Sequence, residues 1–153
     1  MTKVVKAQVP LAGTLRALKD VPDRVFAQEM MGQGLAIDPL VERETFSVYA
    51  PASGSLDKLL PHAFVIAVGE HLNLLVHLGI DTVQCPSQAF RHYVRQGQHV
   101  ESGQLMVDVD VSKLEQASSL ICPVVVFAPA TARTLLPAGQ QCQPGQDLLE
   151  LYP

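Results

Sequence analysis

Short apolar runs recur along this chain at spacings of 8–12 residues, separated by Gly, Pro and Asn/Asp/Ser clusters. Runs of that length and spacing predict strands rather than helices. Strands are expected near 10–18, 34–38, 45–49, 53–60, 62–68, 72–78, 81–85, 104–110, 121–128, 131–136 and 146–151. Only 88–96 and 112–119 predict short helical turns, and each stops at a Gly or at the start of a strand. The pattern defines an all-β fold, an antiparallel β-sandwich or barrel-like single domain covering 1–153. The start, Met1-Thr2-Lys3-Val4-Val5-Lys6-Ala7, is open to two readings, a short strand or a flexible end spanning 1–8.

Two internal echoes give the pattern a period. Gly97-Gln98-x-Val100-x-x-Gly103-Gln104-x-Met106 recurs as Gly139-Gln140-x-Cys142-x-x-Gly145-Gln146-x-Leu148, offset by 42. Pro10-x-x-Gly13-x-Leu15 recurs as Pro51-x-x-Gly54-x-Leu56, offset by 41. Convergent turn chemistry and duplication of one β unit both produce such echoes.

The chemistry concentrates in one expected hairpin. His62 opens the run His62-Ala63-Phe64-Val65-Ile66-Ala67-Val68, and His77 ends Leu72-Asn73-Leu74-Leu75-Val76-His77. With Gly69-Glu70 as a two-residue turn, paired residues have numbers adding to 139, which sets His62 directly opposite His77. In that register His62, Phe64, Ile66, Val68, His71, Asn73, Leu75 and His77 share one face. The other face carries Ala63, Val65, Ala67, Leu72, Leu74 and Val76. Opposed imidazoles with Cβ atoms about 5 Å apart can share a phosphoryl group, a proton or a metal ion.

Composition narrows the classes. Hydrophobic residues make up 48% of the chain and charged residues 17%, so it can bury a core. A formal net charge of −4 argues against nucleic-acid binding. No apolar run approaches the roughly 18 residues of a spanning helix, and no signal-peptide h-region opens the chain, so direct membrane insertion is not expected. Cys85, Cys122 and Cys142 lack Cys-x-x-Cys spacing. They read as buried free thiols in a reducing, cytoplasmic setting.

The histidine hairpin and its neighbours resemble a known family. The segments concerned are His62-Ala63-Phe64, then Leu75-Val76-His77-Leu78-Gly79-Ile80-Asp81-Thr82-Val83, Asp20-Val21-Pro22-Asp23-x-Val25-Phe26-Ala27, Met31-Gly32-Gln33-Gly34-Leu35-Ala36-Ile37-x-Pro39 and Pro123-Val124-Val125. From about Pro10 to Leu151 the chain is similar to the glucose-type enzyme IIA of the bacterial phosphoenolpyruvate:sugar phosphotransferase system. The resemblance implies a β-sandwich of the duplicated hybrid motif type, with no required cofactor. It also implies a phosphoryl relay: a phosphotransferase component that takes the group from HPr, free or as a fused domain, onto a histidine Nε2. The group then passes to a cysteine of the enzyme IIB domain of a sugar permease. By motif, His77 is the phosphoacceptor and His62 the neighbour that stabilises the transferred group. Asp23 and Asp81 match acidic positions facing the basic patch of HPr. Val25, Phe26, Met30, Met31, Leu60, Leu75 and Val83 match the apolar docking surface, with Gly79 beside the acceptor.

The residue types suit that chemistry. An imidazole with pKa near 6.5 is largely neutral, hence nucleophilic, in the cytosol. A hydrogen bond must hold one ring nitrogen in its tautomer, and a backbone carbonyl near Gly79 is the expected acceptor. Leu59-Leu60-Pro61-His62 departs from the family pattern. It is shorter than usual and lacks the Thr that often stands two residues before the first histidine. Two other readings accompany the relay. One is a regulatory adaptor that binds transporters or kinases according to its phosphorylation state. The other is incidental zinc at His62 and His77, completed by a partner's carboxylate, since tetrahedral zinc takes three or four protein ligands. His71, His92 and His99 read as solvated surface residues.

Overall fold

The computed structural model describes residues 3–153. In chain order the strands are β1 Val5–Gln8, β2 Gly13–Arg16, β3 Gly32–Pro39, β4 Thr45–Tyr49, β5 Gly54–Leu60, β6 Ala63–Gly69 and β7 Leu72–His77. They continue with β8 Phe90–His92, β9 His99–Val100, β10 Leu105–Asp110, β11 Cys122–Phe127, β12 Thr131–Thr134, β13 Gln141–Cys142 and β14 Asp147–Tyr152. One four-residue helix, α1, spans Arg24–Ala27. All pairing is antiparallel. An eight-stranded sheet has the order β13-β2-β3-β11-β7-β6-β5-β9, and two three-stranded sheets have the orders β1-β14-β12 and β4-β10-β8. The large sheet has two free edges, so the fold is a sandwich and not a closed barrel.

Strand alternation puts two apolar surfaces on the large sheet. One face, with Phe64, Ile66, Leu74, Val76, Leu35, Ile37 and Val124, packs on the small sheets to form the main core. The opposite face carries Ala36, Ala63, Leu75 and Val125. The segment between β2 and β3 covers it with Leu18, Val21 and Phe26.

The large sheet is built twice around the β11–β7 pair, where Val124 lies opposite Val76. In one half Leu15 donates to the Gln140 carbonyl (2.9 Å) and accepts from the Gly139 N–H (2.7 Å). In the other, Leu56 donates to Gln98 (2.9 Å) and accepts from Gly97 (2.7 Å). Leu15 pairs with Ile37, and Leu56 with Ile66. The echoed sequence segments are therefore structurally equivalent turns, and the duplication is one of architecture as well as of composition.

Several expected elements differ. The 81–85 run is not a strand: Thr82–Gln84 is a 3-10 turn, entered through Asp81 at a left-handed φ of 61°. Of the 88–96 segment, only Gln88 and Ala89 fall in a 3-10 turn (Ser87–Ala89), and Phe90–His92 forms edge strand β8. Of 112–119, only Ser112 and Lys113 are helical, within Val111–Lys113. Val5–Gln8 is a strand paired with β14. Met1 and Thr2 lie outside the described residues.

The hairpin register also differs from expectation. The turn residues are Glu70 and His71, the latter at φ 60°, while Gly69 stays in β6 opposite Leu72. A bulge between Ala67 and Gly69 then sets the register at Ala63 opposite His77 and Phe64 opposite Val76. A one-residue slip exchanges faces. Ala63, Val65 and Ala67 thus lie on the side of His77, Leu75 and Asn73, while Phe64 and Ile66 join Val76 and Leu74 in the main core.

Candidate functional site

His62 and His77 come together although they are not paired. β5 and β6 are joined by the two-residue turn Pro61-His62, with Leu60 opposite Ala63. His62 sits in that turn, free of strand alternation, and its carbonyl accepts from the Leu78 N–H at 2.7 Å. Its ring lies 5.0 Å from that of His77, nearly perpendicular at 74°. The other side of His77 meets Phe26 at 5.2 Å between centroids.

The tautomer of His77 is set by the backbone. Its Nδ1 lies 2.7 Å from the Gly79 carbonyl, which can only accept, so Nδ1 carries the proton and Nε2 keeps its lone pair. The carbonyl is aimed by a tight exit from β7. Gly79 has φ 81°, and a Cβ there would lie 2.7 Å from Thr82 Cγ2 and 3.0 Å from the Ser119 carbonyl. The next residue, Ile80, is tied to Ser119 through its N–H at 2.8 Å. Only Gly fits this position without displacing the following turn.

Burial lowers the pKa of His77 below its usual 6.5. The Gly79 hydrogen bond and the charges of Asp23 and Asp81 act against that shift. His62 is lowered too, first by burial and then by the neighbouring His77. Both rings are therefore held toward the neutral, nucleophilic form. Asp23 is also the N-cap of α1, accepting the Val25 N–H at 2.8 Å; such caps typically contribute about 1 kcal/mol. Asp81 accepts a hydrogen bond from the Ser118 hydroxyl.

The expected docking residues separate into two groups. Val25 (40% exposed), Met30 (65%), Leu60 (39%) and Val83 (69%) are accessible, and Met31 is half-buried. Phe26 (5%) and Leu75 (4%) are buried with Gly79, so they form the floor of the site and not a contact surface. Among the described residues no third His, Cys, Asp or Glu joins the two histidines in a group able to hold a metal. Cys85, Cys122 and Cys142 are free thiols, and burial pushes Cys122 up to about 12.

Sequence reasoning missed three neighbours of the site. Ser118 holds Asp81 from a loop distant in sequence. His92 is half-buried, and its Nε2 lies 3.1 Å from the Pro61 carbonyl. Gln96 Oε1 accepts the Leu59 N–H at 2.9 Å. His71 and His99 are exposed, as expected of solvated residues.

An all-β sandwich presenting a tautomer-locked histidine beside a second imidazole offers one free nucleophilic nitrogen suited to group transfer. Residues 5–131 match the family of phosphoenolpyruvate-dependent sugar phosphotransferase system, EIIA 1. The chain is 41% identical over 120 residues to the PTS system glucose-specific EIIA component of Halalkalibacterium halodurans, an alignment covering 76% of this chain and 67% of the relative. Its fold superimposes on glucose permease IIA from Mycoplasma capricolum with a TM-score of 0.85 at 30% identity, covering 97% of this chain and 96% of the other. The chain belongs to the EIIA 1 family of the phosphoenolpyruvate-dependent sugar phosphotransferase system. It is a phosphotransferase component of the phosphoryl relay in sugar uptake, and these likenesses favour the relay over a purely regulatory role. No described helix is long and apolar enough to cross a membrane.

Proposed function

We propose that His77 Nε2 accepts the phosphoryl group from phospho-HPr, free or as a fused domain, and donates it to a cysteine of an enzyme IIB domain in the cytoplasm. The supporting observation is the Nδ1–H bond to Gly79, which leaves Nε2 as the free lone pair. In the first step that lone pair attacks phosphorus. The P–N bond of phospho-HPr breaks, and its electrons return to the departing imidazole. In the second, a cysteine thiolate attacks and the His77–phosphorus bond breaks in the same sense. Neither step needs a cofactor.

His62 donates a hydrogen bond to the phosphoryl oxygens as they pass, which spreads charge in a partly dry site. Val25, Met30, Leu60 and Val83 form the apolar contact, and Asp23 and Asp81 steer a basic partner onto it. Zinc held by His62 and His77 would be incidental and would require ligands from elsewhere.

The test uses phospho-HPr labelled with ³²P. This protein should take up an acid-labile, base-stable label, and an added enzyme IIB domain should remove it. Full labelling of His77→Ala, or label found on His62, would show the acceptor assignment to be wrong.

A further inference from the structure

The Pro61-His62 turn is anchored from outside its own hairpin. The His62 side chain makes no hydrogen bond among the described residues, and no hydroxyl precedes it within the turn. Pro61 has no N–H to contribute. The main chain around it is tied at three points instead. The His62 carbonyl is bound by Leu78, the Pro61 carbonyl accepts from the His92 Nε2–H at 3.1 Å, and the Leu59 N–H is taken by Gln96 at 2.9 Å.

Two of these three anchors come from one segment of the other layer. His92 ends β8, the edge strand beside β10, and Gln96 follows just before the Gly97 turn. The Tyr93 N–H is fixed to the Met106 carbonyl at 2.9 Å, and the Gly97 N–H to Leu56 at 2.7 Å. A rigid segment therefore grips a turn that is itself only two residues long. The Pro61 carbonyl can only accept, so His92 Nε2 carries the proton in this bond.

We propose that His92 and Gln96 are positioning residues that aim the His62 ring at His77 through the backbone of the turn. The proposal rests on the reading of His62 as the group that stabilises the phosphoryl in transit. A shift of about 1 Å at such a group can cost roughly 10²-fold in rate.

The experiment compares wild type, His92→Ala, His92→Gln, Gln96→Ala and His62→Gln, with the double variant His92→Ala/His62→Gln. It reads the transfer rate to an enzyme IIB domain, the KM for phospho-HPr and the nuclear Overhauser contact between the two site imidazoles. His92→Ala should slow onward transfer roughly 10- to 100-fold with little change in KM. It should weaken the contact between the rings and add nothing to His62→Gln in the double variant. His92→Gln, which keeps a donor at similar reach, should restore both readouts, and Gln96→Ala should show a smaller loss of the same kind. Additive losses in the double variant, or an unaltered rate and ring contact in His92→Ala, would overturn the proposal. If His62→Gln alone leaves the rates unchanged, the role given to His62 fails. The ring contact then decides the positioning separately: lost in His92→Ala it upholds the brace, and kept it refutes it.

Discussion

The two halves of the large sheet share one plan and diverge at the site. By their pairing about Val124 and Val76, the position equivalent to His77 is Val125, and the one equivalent to His62 is Gln33. Val125 is fully buried, and Gln33 uses its Oε1 to accept the Ala132 N–H at 3.0 Å. The divergence lies in the connections. β2 and β3 are joined by a long excursion through 17–31, whereas β5 and β6 are joined by Pro61-His62 alone. That excursion folds over the shared face, seals Val125 and ends its reach with Phe26 against His77. One half thus gave up its own surface to supply a wall for the other half's site. Two equivalent connections of different length leave this symmetric sheet with a histidine pair on one side only.

This contrast is most exposed at its centre. His77→Ala should abolish phosphoryl uptake with little loss of stability, because the ring is only part-buried and its removal leaves the sheet intact. Val125→Ala should do the reverse, losing about 1–3 kcal/mol through a cavity while transfer continues. Label uptake and urea denaturation of both variants would break the comparison if either lost both properties. Next in size, His62→Gln should still accept phosphate yet donate it more slowly. A lost donor typically costs about 10²–10³ in rate, and the amide's remaining N–H places this case at the lower end. Paired transfer rates, HPr to this protein and this protein to an enzyme IIB domain, check it.

Charge should matter less. Asn retains the N-cap of α1 at position 23 and tolerates the left-handed backbone at position 81. Asp23→Asn and Asp81→Asn should therefore slow association with phospho-HPr at low salt and converge on wild type at high salt. Unchanged low-salt rates in both would dissociate these carboxylates from docking. The smallest effect concerns acid. Both site histidines have folded pKa values below 6.5, so below that pH the unfolded chain binds protons that the folded site resists. Their contribution to stability is whole above 6.5 and is lost as pH falls toward the folded values. Denaturation at pH 7 and pH 5 should show a shallower acid loss in His77→Ala than in wild type.

The fold was legible wherever one face was buried, because burial imposes alternation. β3 to β7, β10, β11 and β14 all appear near their expected places. Elements held by contacts distant in sequence were not. β8 and β13 are two or three residues long and carry no period of their own. The 81–85 stretch suggests a strand, but the left-handed Asp81 and its tie to Ser118 turn the chain away. The histidine pair was legible for an incomplete reason. The expected register ignored that His71 can occupy a left-handed turn position and that a bulge can absorb a residue. The rings meet because His62 lies in a turn, at a position where pairing rules do not apply. His92 was unreadable because its meaning depends on a carbonyl in the other layer.

The bond between His77 Nδ1–H and the Gly79 carbonyl has a kinetic consequence. Under the proposed chemistry only Nε2 gains or loses phosphorus, so the bond can persist in both the loaded and the empty protein. The ring need not turn over, no tautomer has to exchange, and the β7 exit does not have to be rebuilt with each cycle. Reorganisation is confined to solvent, His62 and the departing partner. Such a carrier passes its cargo in either direction with little internal friction, so the direction of flow is set by the partners' supply and demand. At this bond the molecule behaves as a wire in a circuit, and whatever switches the current must lie on the surface around it.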